Sequence, residues 1–530
     1  MTIYVDARTL KIWLSDGDEI ALIDVREHGQ YGEGHLFFAV PLAYSVFELG
    51  LAALVPNPGV RIVLYDSGDG VAERAAGRAE ALGYRSACVL EGGAAAWRRA
   101  GHRLFSGVNV PSKTLAELVE GERHTPHISA EKLMAMRAAG EKLMIVDGRP
   151  FSEFHRMNIP GGVCCPNGEL ALRIDSIAPD PSTTIIVNCA GRTRSIVGAQ
   201  TLIDLGIANP VFALENGTQG WSLSGLELEK GASRRYRELA EPAEIDVRRA
   251  RARTLAESRG ARFLEEDEVA ASVRDETRTT YLIDIRTEEE YSTDGSPHFT
   301  HVPGGQLIQA TDQWVGVKGA RIVLADNELI RAPVVAAWLR QLGHEADVFA
   351  GRIGEVGEAI FKRSSTPAPT PQLPKIVAAE LQTLISQDTV HIIDLRPSMV
   401  YREEHIASAI WSIRPRLSLL ADNPPAKVVL VADRPDIAEL CAIDLGEIGI
   451  EDISVLEGGM AAWREAGFPV VATPKLPADA ECIDFLFFTH RRHLGDPAHS
   501  RQYLAWELGL IDQLDEQERA SFKIVPAPAP

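Results

Sequence analysis

Cysteine is scarce in this 530-residue chain: six residues, at positions 88, 164, 165, 189, 441 and 482, with no CxxC pair. That is too few for a disulfide framework, and it points to a reducing compartment, the cytoplasm. Long apolar runs are missing, and no stretch approaches membrane-spanning length. The N-terminal MTIYVDARTLKIWLSDGDEI carries acids and alternation where a signal peptide needs a basic start and an unbroken apolar core. Positive charge is in deficit: 54 Lys and Arg against 74 Asp and Glu leave a formal net charge of -20. Such a surface repels phosphate backbones, which argues against nucleic acid and anionic membranes as partners. What is present, 45% hydrophobic and 24% charged residues, is the composition of an ordinary globular chain. Its length suggests roughly three to five domains.

The organising feature is one unit repeated four times. ALIDVREHGQYGEGH around Asp24 recurs as LMIVDGRPFSEFH around Asp147, TYLIDIRTEEEY around Asp284 and HIIDLRPSMVYREEH around Asp394. Each is an apolar strand ending in Asp-x-Arg. A second strand follows as RIVLYDSGDG, TIIVNCAGRT, RIVLADNELI and KVVLVADRPD, placing Asp66, Cys189, Asp326 and Asp433 at equivalent sites. Asp24 to Asp66, Asp147 to Cys189 and Asp284 to Asp326 are each 42 residues apart, and Asp394 to Asp433 is 39. A helical stretch, a third strand, a glycine pair and a Trp helix complete the unit, as in VLEGGAAAWRRAGH and VLEGGMAAWREAGF. Unit two keeps this loosely as LENGTQGWSLSG, and unit three has Glu358 where the Trp would fall. Strands alternating with helices predict an α/β fold with a parallel sheet and its site in the loops at the strands' carboxyl ends.

Composition suggests units at 1–106, 127–230, 260–362 and 375–474, followed by a tail at 475–530. Residues near 107–127 read as a link, and the charged stretch at about 230–260 reads as a solvated connecting helix. SSTPAPTPQLP, 364–374, reads as a semi-rigid Pro-rich spacer. The tail holds DFLFF, a basic HRRH, a helix predicted from about 498 to 521 and a disordered VPAPAP end.

Cys189 is the nucleophile candidate. The run Ile185, Ile186, Val187 delivers it to the N-terminus of a predicted helix, where free N–H groups and the helix dipole favour a thiolate over a thiol. Arg192 and Arg194 push the same way. In the loop Cys189, Ala190, Gly191, Arg192, Thr193, Arg194, Ser195, successive backbone N–H groups make an anion nest.

The Asp-x-Arg strand, the EGG-x-x-x-W turn and the strand–Cys–loop–helix site together resemble the rhodanese domain, the sulfurtransferase family. The resemblance spans roughly 420 residues, clearest in units one, two and four. It implies four tandem rhodanese-like domains, each a small central parallel sheet flanked by helices, plus a partly helical tail. It also implies that Cys189 cycles between thiolate and persulfide, taking sulfur from an anionic donor such as thiosulfate and passing it to cyanide or a thiol. Arg192 and Arg194 would pair with donor oxygens, and Arg149 matches a family position that can reach the donor. Arg149 also reads as an ion-pair partner of Asp147, since the other units keep that pair without a cysteine. Asp66, Asp326 and Asp433 cannot carry sulfane sulfur, so their units are expected to be inactive, the three Asp acting as helix N-caps. Neither cofactor nor metal is expected. Cysteine-dependent phosphatases place one more residue between Cys and Arg; here Cys189 and Arg194 enclose only Ala190, Gly191, Arg192 and Thr193. The alternative to an enzyme is a scaffold, persulfide relay or oxidant sensor that binds protein partners through the inactive units.

Among other candidates, vicinal Cys164 and Cys165 could accept sulfur or form a disulfide with Cys189, or else pack as core. Cys88 and Cys441 read as core. Cys482 with His490, His493 and His499 fits no common zinc spacing; the tail reads instead as a docking segment over an apolar groove, through DFLFF and YLAW, with Arg491 and Arg492 available for electrostatic docking.

Overall fold

The apolar, β-branched runs at the strand positions form parallel ladders that are covered on both faces, as parallel strands require. In this computed structural model, residues 2–236, 242–356, 370–491 and 496–526 are described. Glu358, residues 364–369 of the Pro-rich spacer, Arg492, His493 and residues 527–530 lie outside them. The chain builds four five-stranded sheets. In unit two the strands are β1 (His127–Ile128), β2 (Leu143–Asp147), β3 (Val163–Cys164), β4 (Thr184–Asn188) and β5 (Val211–Leu214). They lie in the order β1-β5-β4-β2-β3, all parallel. The other three units repeat that order. The fold is thus tandem α/β, as the alternation of strand and helix patterns predicts.

The helices that matter for the site are α1 (Val110–Arg123), α2 (Phe151–Arg156), α3 (Thr193–Asp204), α4 (Gly217–Leu223), α5 (Pro242–Ser258), α6 (Arg331–Gln341) and α7 (Pro497–Leu508). Three readings change here. The link at 107–127 contains α1, whose Leu115, Ala116 and Val119 are buried. The charged stretch before 260 is not a solvated connector: Ala252 and Ala256 of α5 are fully buried, and Arg248 donates to Leu172 O at 2.7 Å. Its small residues form an apolar stripe that charge patterning alone conceals. Finally, the helix expected over 498–521 is three pieces, α7, a 3-10 turn at Ile511–Gln513 and a helix at Glu516–Ser521. Asp515 starts the last with a reciprocal capping box to Glu518, a helix start that breaks the longer run.

The units pair through buried arginines. Arg414 of unit four donates to Glu48 (2.7 Å) and to Tyr44 O (3.0 Å) of unit one, and to Asp444 (2.7 Å). Arg331 of unit three donates to Glu169 of unit two (2.9 Å), to both oxygens of Glu290 (2.7 and 2.9 Å) and to Glu328 (2.6 Å). Beside it the backbones of units two and three touch: a Cβ on Gly168 would lie 2.6 Å from Gly305 N, so only glycine fits. Units one and three join where Ile20 and Lys318 exchange backbone hydrogen bonds and Tyr281 donates to Leu54 O at 2.6 Å. One core cluster runs through units one, two and three and takes in Leu510 and Phe522 of the tail.

Removing Arg331 would leave Glu169, Glu290 and Glu328 facing one another in a buried interface, a change that costs about 3–5 kcal/mol in comparable buried clusters. Arg331→Met is therefore expected to lower the denaturant or thermal midpoint markedly relative to an exposed control such as Lys142→Met. An unchanged midpoint would refute the assignment of Arg331 as the tie between units two and three.

Candidate active site

Strand β4 ends at Asn188, whose register partner on β2 is Asp147. Cys189 follows immediately, 2% exposed. Its Sγ donates to Ser195 Oγ at 3.7 Å, and Ser195 Oγ donates to Arg192 O at 2.7 Å. The loop is pinned from behind by the N-terminus of α4: Thr218 N donates to Cys189 O (2.8 Å) and Gln219 N to Ala190 O (3.1 Å). This explains the glycine of the turn motif. Gly217 has φ +53° and a Cβ there would lie 2.2 Å from Cys189 O; Gly93 in unit one, at φ +56°, meets Asp66 O at 2.3 Å. Only glycine combines that conformation with that approach.

The amides of the loop are unspent. α3 has no side-chain cap, and the N–H groups of Ala190 to Ser195 donate to no acceptor among the described residues. In unit one the equivalent Asp66 fills this nest with its own carboxyl group, accepting from Gly68 N (2.8 Å) and Ala72 N (3.0 Å). In unit three Asp326 accepts from Ile330, Arg331 and Ala332 N at 3.1–3.2 Å. Asp433 differs: it is exposed and accepts no such bond.

The arginines are engaged. Arg192 forks onto Glu117 of α1 at 2.7 and 2.9 Å and also reaches Glu120. Arg194 forks onto Glu153 of α2 at 2.8 and 2.9 Å. Burial works against both charges, but these carboxylates more than offset it and raise both guanidinium pKa values. Arg149 is bound to Asp147 at 2.7 and 2.8 Å and to Met157 O at 2.6 Å. The same Asp-x-Arg fork recurs at Arg26, Arg286 and Arg396. All three arginines nonetheless line the cavity above Cys189.

That cavity, of about 690 Å³, is walled by four parts of the chain. Unit two supplies the loop, Thr218 and Gln219; α1 and the residues before it supply Asn109 and Lys113; unit three supplies Gln306 and Gln309; the tail supplies Tyr503, Trp506 and Glu507. Thr193 donates to Glu507 at 2.6 Å. Sequence reasoning missed α1, Gln309 and Glu507 as parts of the site, because no local pattern links them to Cys189. Arg156 and Lys230, both exposed, stand at the rim without an ion-pair partner among the described residues, adding positive charge there.

The remaining cysteines sit elsewhere. Cys164 and Cys165 are buried at the end of β3, Cys164 against Arg149 O at 3.5 Å and Cys165 in the unit-two core. Burial pushes the Cys164 thiol up to about 12 and Cys165 well above its usual range, and does the same to Cys88, up to about 11, and to Cys441. Cys482 is buried with Sγ against Ala478 O at 3.4 Å, while His490 packs edge-on to Phe485. No group of His, Cys, Asp and Glu suited to a metal occurs among the described residues, and no helix among them is long and apolar enough to cross a membrane.

Cys88, Cys164, Cys165 and Cys441 are thus expected to remain protonated and covered at pH 8. In brief iodoacetamide labelling of the native protein, peptide mapping should find Cys189 modified first and these four only after denaturant is added. Equal native labelling of Cys164 would contradict the placement of Cys189, and not Cys164, on the cavity wall.

The comparisons with known proteins agree with this architecture. The rhodanese-like domain model matches residues 6–100, 129–224 and 377–466. The crystal structure of thiosulfate sulfurtransferase from Pseudomonas aeruginosa is similar at 37% identity with a TM-score of 0.89, covering 99% of this chain and 100% of that one. Two curated relatives match single segments: uncharacterized protein slr1261 of Synechocystis, 34% identical over 104 residues, and HTH-type transcriptional regulator Rv0324 of Mycobacterium tuberculosis, 31% identical over 105. The matches take in 19% and 20% of this chain, and 58% and 45% of those proteins. With more than half of its length matched by that family model, the chain belongs to the rhodanese-like domain family.

Proposed function

We propose that the protein is a sulfurtransferase that carries sulfane sulfur on Cys189, from a small anionic donor such as thiosulfate to a thiophilic acceptor, cyanide or a thiol. One observation carries the reading. The only one of the four equivalent positions that bears a thiol is also the one whose buried loop amides have no acceptor among the described residues. Units one and three spend the same amides on Asp66 and Asp326. Such a cluster of N–H groups at a helix start stabilises an anion. The relative from Pseudomonas aeruginosa, named as a thiosulfate sulfurtransferase, supports the same activity.

In the first half-reaction Cys189 Sγ, as thiolate, attacks the outer sulfur of thiosulfate. The new S–S bond forms as the old one breaks, and its electron pair leaves on sulfite, so Cys189 is left as a persulfide anion. An acceptor then attacks the outer sulfur and the pair returns to Sγ. This is covalent, ping-pong catalysis. The amides of Ala190, Gly191, Thr193 and Ser195 hold the persulfide or the donor's oxyanion. Arg192 and Arg194, tied to Glu117 and Glu153, act chiefly by fixing the loop, with some residual positive field. Arg149 holds the strand end through Asp147. The near-complete cover over Cys189 favours small molecules over a protein as donor. Unpaired cysteines, all six buried, favour a cytoplasmic setting. We take units one, three and four as non-catalytic, with boundaries near 1–106, 127–230, 260–362 and 375–474.

Wild-type protein incubated with thiosulfate should release sulfite, give a Cys189 persulfide by mass spectrometry, and yield thiocyanate with cyanide. Cys189→Ser should lose all three, a drop of at least about 10³-fold in turnover, as for other removed nucleophiles. Equal activity in the variant, with no persulfide in the wild type, would overturn the assignment.

A further inference from the structure

Several buried acceptors on the cavity wall facing the Cys189 loop lack a donor among the described residues. Glu507, 1% exposed, uses Oε1 to accept from Thr193, while its Oε2 is buried with no partner among the described residues. Gln219 donates from Nε2 to Ala190 O at 3.1 Å, which fixes Oε1 as its other end, and that oxygen is also buried and unpartnered. Both side chains converge on Gly191: a Cβ there would lie 3.1 Å from Glu507 Oε2 and 3.4 Å from Gln219 Nε2. Two further oxygens on the cavity wall, Asn109 Oδ1 and Gln309 Oε1, are likewise buried and without a partner among the described residues, as is the donor Trp506 Nε1. A buried acceptor without a donor costs about 1–3 kcal/mol. Several together describe a site whose ligand brings the N–H groups.

The cavity therefore has two chemically distinct faces. The amides of the Cys189 loop suit an anion, and the wall made by Glu507 and Gln219 suits a cationic donor. Thiosulfate and cyanide answer only the first face. We propose that the sulfur acceptor is a small thiol bearing a primary ammonium group, received by Glu507 and Gln219 while its sulfur meets the Cys189 persulfide. This rests on the persulfide reading above and names the acceptor class for it. The chemistry gives the ammonium a purpose, since acceptor thiolate and persulfide are both anions and repel as they approach. In the transfer, the acceptor sulfur bonds to the outer sulfur as the Sγ–S bond breaks. The electron pair returns to Sγ as thiolate, and the acceptor departs as its own persulfide anion. No net oxidation occurs, and the ammonium keeps its protons throughout.

The test loads the full-length protein with thiosulfate, quantifies the Cys189 persulfide by mass spectrometry, and then follows its loss to four probes. These are cysteamine and cysteine, which carry the ammonium, and 2-mercaptoethanol and 3-mercaptopropionate, which do not, with rates expressed per thiolate. In the wild type the ammonium-bearing pair should react about tenfold faster, the span between a charge-assisted and a neutral hydrogen bond. Glu507→Gln keeps the acceptor for Thr193 and should shrink that ratio toward one. A wild-type ratio near one, or a ratio unchanged in E507Q, overturns the inference while leaving the persulfide reading intact. Failure to load Cys189, seen before any acceptor is added, overturns both. The wild-type comparison needs no variant, so poor folding of E507Q would not shield the proposal.

Discussion

Amide hydrogens exposed by a strand-to-helix turn must meet an acceptor once they are buried, and the four copies of this unit differ chiefly in how they satisfy that demand. Units one and three supply a carboxyl group from the position where a nucleophile would stand. Unit four leaves Asp433, Arg434 and Pro435 exposed, so water can satisfy the turn, and Pro435 removes one donor outright. Unit two keeps its amides buried and, among the described residues, unspent. Asp in place of Cys is thus more than the loss of a thiol: its carboxyl group occupies the amides and closes the nest. The Asp positions that looked like simple N-caps are, in two of three cases, permanent occupants of an anion site.

The acidity of the chain has a local counterpart at the site. Arg192 and Arg194 sit close to Cys189 in sequence, and on charge alone would be expected to bind the donor. The fold instead hands each to glutamates, from α1 and from α2. Two fork-shaped ion pairs hold the loop in one shape, and much of the loop's affinity for anions then falls to oriented N–H dipoles, which carry no net charge. At the rim, Arg156 and Lys230 have no ion-pair partner among the described residues. Such an arrangement attracts an anion toward the entrance without trapping it on a buried guanidinium, which would suit an anionic product of the proposed reaction that must leave.

Much of this was legible in the sequence because it is local and repeated. The Asp-x-Arg strand end, the equivalent Cys and Asp positions and the parallel α/β alternation all recur in register, and the structure has four sheets of identical strand order. The glycine of the turn before the Trp helix is legible too, once Gly217 is seen against Cys189 O. What could not be read is long-range. Arg192 meets Glu117 across 75 positions, and Thr193 meets Glu507 across 314; no periodicity names such partners. Charge patterning misplaced α5 for a related reason: Ala252 and Ala256 form a thin apolar stripe among arginines, enough for a buried contact but too weak to stand out. The broken helix after 508 was readable, since Asp515 and Glu518 spell a capping box.

The tail gives the four-unit design a physical rationale. After unit four it crosses unit one, where a Cβ on Gly29 would collide with Ile483 O. It then passes over the Cys189 loop as α7 and returns to the junction of units one and three, where Gln517 donates to Lys11 O at 2.9 Å and Lys523 N to Gln341 O at 2.9 Å. Units one and three thus anchor both ends of the segment that roofs unit two, and unit four sets where it starts. A unit-two fragment would keep Cys189 and its amides but lose Glu117, Glu120 and Glu507, leaving Arg192 without its fork and the nest open to water. The three copies with Asp in place of Cys189 thus brace the segment that covers this loop, and the wall above Cys189 is complete only when the helices of the tail have docked.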